Sequence, residues 1–175
     1  ALTKGRITLN GIIWEHLLAL LDRLEHSGVQ IRKSDGKIFV SAKKRLRPVN
    51  ITTLPYPGFP TDLQAQFMTL MSVTSGVCVI TEKIYPDRFM HIAELNRMGA
   101  NIKREGPHAI VQGVRTLSGA PLMASDLRAS AALVLAGLVA KGRTDIFRIY
   151  HLDRGYEDLE VKLQNLGADI RREKE

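Results

Sequence analysis

The stretch Thr61-Asp62-Leu63-Gln64-Ala65-Gln66-Phe67-Met68-Thr69-Leu70-Met71, with its echo at Ser125-Asp126-Leu127, decides how this chain is read. Each copy opens an apolar run of helical length with a hydroxyl and a carboxylate at its start. Both sit inside a longer repetition. Aligning Lys4-Gly5-Arg6-Ile7 with Ser75-Gly76-Val77-Cys78, an offset of 71 residues, brings Leu9 onto Ile80, Leu24 onto Leu95, Gly28 onto Gly99 and Ile31 onto Ile102. A third copy begins at Gly142 and reaches Leu166-Gly167-Ala168-Asp169-Ile170, with two extra residues inside it. Self-similarity at a fixed period marks repeated supersecondary units. The unit reads helix, glycine turn, strand, short loop, helix, glycine turn, strand. The first copy lacks its opening helix, and the chain starts in mid-pattern without a methionine, so a piece of a longer protein is expected.

Local signals support this outline. Ile13, Leu17, Leu18, Leu20, Leu21 and Leu24 recur at helical spacing, and Gly28 suits the left-handed position just past a helix end. Thr61 and Gln64 have the spacing of a capping box ahead of Phe67, Met68, Leu70 and Met71. Ser125 is expected to cap a helix running to about Ala140, apolar on nearly every side and therefore central and buried. Strands are expected over residues 6–9, 37–41, 49–52, 77–81, 109–112 and 145–149. Their alternation with helices argues α/β or α+β rather than a sandwich. Pro55, Pro57, Gly58 and Pro60 stiffen the loop that leads into Thr61.

The 175 residues, 45% hydrophobic and 25% charged, suit one globular domain with its own core and exclude disorder, collagen and coiled coil. The longest nearly apolar run, Ala129 to Ala140, is too short for a membrane span of about 20 residues. The opening ALTKGRITLNG has no apolar core of a signal peptide. A single cysteine, Cys78, excludes an intramolecular disulfide and any cysteine-based metal cluster. Cys78 lies in an apolar strand run with Ile7 as its repeat partner, and is read as a core residue rather than a nucleophile. His91, His108 and His151 lack zinc spacing. No Walker A lysine is present and no GxGxxG follows a strand. No metal or cofactor is expected. The formal charge of +7 favours anionic partners. The one dense basic cluster, Lys43, Lys44, Arg45 and Arg47, lacks the interleaved aromatics of single-strand binders.

Asp62 and Asp126 stand in the first turn of two helices, while Arg88, Arg128 and Arg154 lie near strand ends or helix starts. A carboxylate at a helix start is stabilised by the helix dipole without any function. The repeat, however, sets each aspartate and each arginine at the same kind of junction, and such junctions are where α/β proteins hold anions. The residues alone lead to an anion-binding repeat protein.

Four further stretches carry a resemblance. Pro55-Tyr56-Pro57-Gly58-Phe59-Pro60-Thr61-Asp62-Leu63 runs into Gln64-Ala65-Gln66-Phe67-Met68. Arg88-Phe89-Met90-His91 precedes Glu94-Leu95-Asn96-Arg97-Met98-Gly99-Ala100. Asp126-Leu127-Arg128-Ala129 and His151-Leu152-Asp153-Arg154-Gly155-Tyr156-Glu157 follow. In this order and spacing the chain resembles the UDP-N-acetylglucosamine 1-carboxyvinyltransferase (enolpyruvyl transferase) family along its whole length. It corresponds to the carboxy-terminal part of that family's chain. The related 3-phosphoshikimate enolpyruvyl transferases share the fold, but their motifs are not seen.

The resemblance implies an inside-out α/β barrel domain built from βαβαββ units around buried helices. The units fall at about 1–60, truncated at its start, then 61–124 and 125–175. It implies transfer of the enolpyruvyl group of phosphoenolpyruvate to the 3-hydroxyl of UDP-N-acetylglucosamine, the first committed step of peptidoglycan synthesis, in the bacterial cytoplasm. Asp62 matches the aspartate that contacts the sugar nucleotide and is proposed as the base. Ile84 matches a backbone contact to the same ligand, and Arg154 an arginine that binds the enolpyruvate anion. Arg88, Asp126 and Arg128 match polar residues of the cleft. The family's loop cysteine and further substrate-holding residues belong to an amino-terminal part, a partner this chain is expected to need; alone it is expected to be inactive. Neither nucleic acid nor a membrane is an expected partner. An anion- or nucleic-acid-binding module without catalysis stays open as the alternative.

Overall fold

The computed structural model describes residues 1–42 and 45–173; Lys43 and Lys44 of the basic cluster, and Lys174 and Glu175 of the tail, lie outside the described residues. Three strands, β1 (Arg6–Asn10), β2 (Gln30–Ser34) and β3 (Lys37–Ser41), form an antiparallel sheet ordered β1-β3-β2, with α1 (Leu18–His26) between β1 and β2. The next unit repeats this arrangement. β5 (Val77–Thr81), β6 (Asn101–Glu105) and β7 (His108–Gln112) pair antiparallel, with α3 (His91–Arg97) between β5 and β6. Every strand of the first sheet, moved by the offset of 71, lands on its counterpart. Gly28 and Gly99 both turn the chain from helix to strand at positive φ, +100° and +89°, as the repeat requires.

The second sheet also carries a parallel strand, β4 (Ile51–Thr52), giving the order β4-β5-β7-β6. β8 (Pro121–Met123), just ahead of the third unit, pairs with that unit's β9 (Asp145–Phe147) in the same parallel sense, and α5 (Tyr150–Asp153) and α6 (Leu159–Asn165) follow. Residues 168–170, the third counterpart of β2 and β6, turn at Gly167 (φ +92°) but pair with no strand among the described residues.

Two helices form the centre. α2 (Gln64–Ser72) is buried at every position except Gln66, and α4 (Leu127–Gly137) at seven positions from Ala129 to Ala136. Four of those seven are alanines, so the helix backbones come close: Thr69 Oγ1 donates to the Ala132 carbonyl at 3.2 Å. Sheet residues Cys78, Ile80, Ile102, Ala109 and Val111 cover α2, while Leu152 packs on Ala131 and Val134 of α4. An all-round apolar helix has no stable place but such a centre. Among the described residues no helix is long and apolar enough to cross a membrane.

Several expectations are corrected. The capping box at Thr61 does not form: Thr61–Leu63 is a 3₁₀ turn, Thr61 bonds elsewhere, and buried Gln64 points its amide at the Arg88 carbonyl (3.4 Å). Asp126, not Ser125, caps α4, its Oδ1 accepting from the N–H groups of Arg128 (2.8 Å) and Ala129 (3.0 Å). That helix ends at Gly137 rather than Ala140. β4 is shorter than expected because the Asn50 side chain, rather than a backbone carbonyl, takes the Val79 N–H. β9 stops at Phe147 because Arg148 turns to φ +60°.

Candidate active site

The proline-rich loop delivers Asp62 at the start of α2 on the 3₁₀ turn Thr61–Leu63, where Leu63 N–H bonds the Pro60 carbonyl at 3.1 Å. One wall of Asp62 faces a cavity of about 320 Å³ shared with Leu54, Tyr56, Pro57, Thr61 and Ile84. Its other side meets cations. Asp62 Oδ1 accepts from Arg128 Nε and lies 3.5 Å from a terminal nitrogen of Arg88. The Asp62 side chain is 63% exposed, whereas Arg88 and Arg128 are 19% and 26% exposed. The carboxylate therefore sits at the mouth, between a cavity and a half-buried pair of guanidinium groups.

Each arginine is placed by its own element. Arg128 is the second residue of α4, whose start is fixed by the Asp126 cap. Arg88 lies in the loop after β5, held by a 2.8 Å bond to Thr61 Oγ1 and stacked 5.1 Å over the Tyr85 ring. Ile84 gives its N–H to Glu82 Oε1 at 2.9 Å, so the carbonyl is the backbone group it retains for a ligand. Asp126 spends one carboxylate oxygen on the helix cap.

Arg154 stands apart from this cluster. It caps the end of α5 and is exposed, and its side chain makes no ion pair or hydrogen bond among the described residues. Its neighbours tie it to the same end of the two helices: Gly155 packs on Leu127, and Tyr156 accepts from Gln66 at 3.0 Å. Arg154 follows Phe147 at the same spacing as Arg88 follows Thr81, so the repeat supplies an arginine at both junctions. A larger cavity, about 760 Å³, is lined by α4, β9 and residues 169–173 and touches none of the six predicted site residues.

Comparison with known proteins follows the same lines. The family model for EPSP synthase (3-phosphoshikimate 1-carboxyvinyltransferase) matches residues 1–163. The chain belongs to the EPSP synthase family. Within it, the chain is similar to UDP-N-acetylglucosamine 1-carboxyvinyltransferases: 56% identical to that of Myxococcus xanthus over 99% of this chain, and 59% identical to that of Trichlorobacter lovleyi over 98%. It spans 41% of the length of each of these curated relatives. Among solved structures, the enolpyruvyl transferase NikO from Streptomyces tendae superposes with a TM-score of 0.85 at 31% identity, over 95% of this chain and 40% of that one. EPSP synthase from Acinetobacter baumannii shares the fold, with a TM-score of 0.73 at 20% identity over 97% of this chain and 40% of that one.

For this member of the EPSP synthase family, the structure also shows what the sequence reading passed over. Glu82 is wholly buried directly behind Thr61 and Ile84, though nothing in Ile80-Thr81-Glu82-Lys83 distinguishes it from a solvated charge. His91 is 2% exposed, its Nε2 has no hydrogen-bond partner, and burial pushes its pKa down to about 4 against the opposing pull of Asp126. Cys78 is buried in β5, and desolvation raises its thiol to about 11, which leaves it protonated and poorly nucleophilic. Among the described residues no group of three or more His, Cys, Asp or Glu could hold a metal ion.

Proposed function

We propose that this chain forms the carboxy-terminal part of a bacterial cytoplasmic enzyme that transfers the enolpyruvyl group of phosphoenolpyruvate to the 3-hydroxyl of UDP-N-acetylglucosamine, releasing phosphate, in peptidoglycan synthesis. The observation that carries the reading is Asp62, a carboxylate with a cavity on one side and Arg88 and Arg128 on the other. The relatives' name, UDP-N-acetylglucosamine 1-carboxyvinyltransferase, supports the sugar nucleotide as acceptor and the carboxyvinyl group as what is transferred.

The geometry suits the chemistry. With the sugar in the cavity beside Ile84, its 3-hydroxyl meets Asp62, which takes the proton as the oxygen attacks C2 of the enolpyruvate. The methylene carbon gains a proton to give a tetrahedral phospholactoyl adduct. Loss of phosphate, with return of a proton from the new methyl group, leaves the enol ether. Guanidinium forks hold phosphate and carboxylate through paired charge-assisted bonds; Arg88 and Arg128 do so next to the base, and exposed Arg154 is available to the donor's other anion. An anion arriving there competes with Asp62 for the same guanidinium hydrogens and frees its oxygen to act. Cys78, buried in the sheet, is not placed to give the methylene carbon its proton.

The test is a titration of the 175-residue chain with UDP-N-acetylglucosamine, following backbone amide signals. The amides of Asp62 and Ile84 shift in a saturable way, while the chain supplied with both substrates releases no phosphate above background. Shifts confined to residues 169–173, or none at all, would refute the site.

A further inference from the structure

We infer that Glu82 is a positioning residue of this site, a buried group that holds both the Asp62 turn and the loop carrying Ile84 and Arg88; the inference rests on the reading of the site given above. Glu82 follows the last residue of β5 and is 0% exposed. Its carboxylate accepts four hydrogen bonds. Oε1 takes the Thr53 hydroxyl (2.6 Å) and the N–H groups of Ile84 (2.9 Å) and Tyr85 (3.0 Å), and Oε2 takes the Thr61 hydroxyl (2.8 Å). Thr53 Oγ1 in turn accepts the Lys83 N–H at 2.9 Å. The donors come from three separate segments: the strand end at Thr53, the 3₁₀ turn at Thr61, and the loop at 84–85.

All four donors are neutral, so the buried charge is not neutralised by a directly bonded cation. A charge held in this way costs desolvation energy that a neutral side chain avoids. What the carboxylate supplies and an amide cannot is acceptance at both oxygens. This sets the direction of a relay: Arg88 donates to Thr61 Oγ1 (2.8 Å), and Thr61 donates onward to Glu82. A glutamine that kept its carbonyl toward Ile84 and Tyr85 would aim an N–H at Thr61 Oγ1. That oxygen would then face two donors, and its own proton would lose its acceptor. Arg88 would be loosened from the turn that carries Asp62, although Glu82 touches neither Arg88 nor Asp62.

Hydrogen exchange and ligand titration of the 175-residue chain test this, using Glu82→Gln, Thr61→Ser and Thr61→Val. In E82Q a neutral carbonyl accepts the Ile84 and Tyr85 N–H groups more weakly than the charged oxygen does, so these amides exchange faster. With Arg88 loosened as well, UDP-N-acetylglucosamine binds more weakly by roughly ten- to a hundredfold, the span for losing a hydrogen bond to a charged acceptor. Core amides of β5 and β7 keep their protection. T61S, which preserves the relay, behaves as the parent, while T61V reproduces the binding loss of E82Q. Unchanged exchange at Ile84 and Tyr85 in E82Q, or T61V binding as tightly as T61S, overturns the assignment. If E82Q does not fold, the T61S and T61V pair decides. Faster exchange in E82Q, in a chain whose parent does not respond to UDP-N-acetylglucosamine, supports the positioning role and overturns the substrate reading instead.

Discussion

Asp62 is held by contacts that are mostly electrostatic and mostly exposed, and that combination makes it a clean target. An ion pair to a carboxylate this open to solvent contributes little to stability, typically under about 1 kcal/mol. Asp62→Asn keeps the shape and one acceptor oxygen but removes the charge that, on the proposed reading, takes the sugar proton. In a protein extended to the full length of its relatives, single-turnover rates fall roughly 10²–10⁴-fold, the usual span for a general base, with the melting point nearly unmoved. A normal rate beside a lowered melting point would make Asp62 a turn residue only. Asp126 shows the opposite balance. Its Oδ1 caps α4, so Asp126→Ala costs the 175-residue chain roughly 0.5–2 kcal/mol, whereas asparagine, an equally good cap, costs only a few tenths. Denaturant melts of the two variants check this; equal losses would mean the charge, not the cap, stabilises the helix start. Asp62 and Asp126 are indistinguishable in the sequence as carboxylates at helix starts. Only the fold separates them, because which oxygen meets a backbone N–H and which meets an arginine depends on backbone angles at residues 60–62 and 126.

The elements were legible wherever apolar residues recur with a period. β3, β5 and β7 were found because each carries buried residues such as Ile38, Cys78, Ile80 and Val111, and β1, which buries none, because Ile7 and Leu9 alternate along it and align with Cys78 and Ile80 in the repeat. β2 and β6, Gln-Ile-Arg-Lys-Ser and Asn-Ile-Lys-Arg-Glu, escaped the strand assignments because each contributes one inward apolar residue to an edge position. The turn between β2 and β3 held the missing signal. Asp35 and Gly36 both take positive φ, +50° and +69°, as a two-residue hairpin loop demands, and Asp-Gly is among its strongest markers. α3 illustrates a different limit, since nothing local reveals that His91 in its first turn is desolvated. Its lowered pKa has a direct consequence for stability. The fold keeps His91 neutral down to about pH 4, while the unfolded chain takes up the proton near pH 6.5. Its contribution is therefore complete above about pH 6.5 and is lost as pH falls toward 4, at about 1.4 kcal/mol per pH unit for one such group. Melts between pH 7.5 and 4.5 show a steeper fall for the parent than for His91→Gln. Parallel curves would show that His91 protonates in place.

On the scale of the molecule, α2 and α4 form a central axis that the second sheet, α3, α5 and β9 pack against, and the candidate site lies where these two helices begin. That placement follows from the repeat, which sets equivalent junctions at the same end of the axis and lets each differ in one or two side chains. It also has a consequence for assembly. The β2–β3 and β6–β7 hairpins have the same lengths and register, and each pairs antiparallel with the strand that opens its unit. Nothing in the backbone ladder tells β1 which hairpin is its own; the choice falls to side chains such as Ile38 and Val111, which must seat in differently shaped cores. During refolding, a hairpin supplied by a second molecule presents β1 with the same hydrogen-bonding edge. Self-similar chains are prone to such exchange. Refolding at high protein concentration accordingly yields a fraction of interlocked dimers, separable by size and slow to revert, while dilute refolding yields monomers. The internal symmetry that builds the site thus sets an upper limit on the concentration at which the chain assembles faithfully.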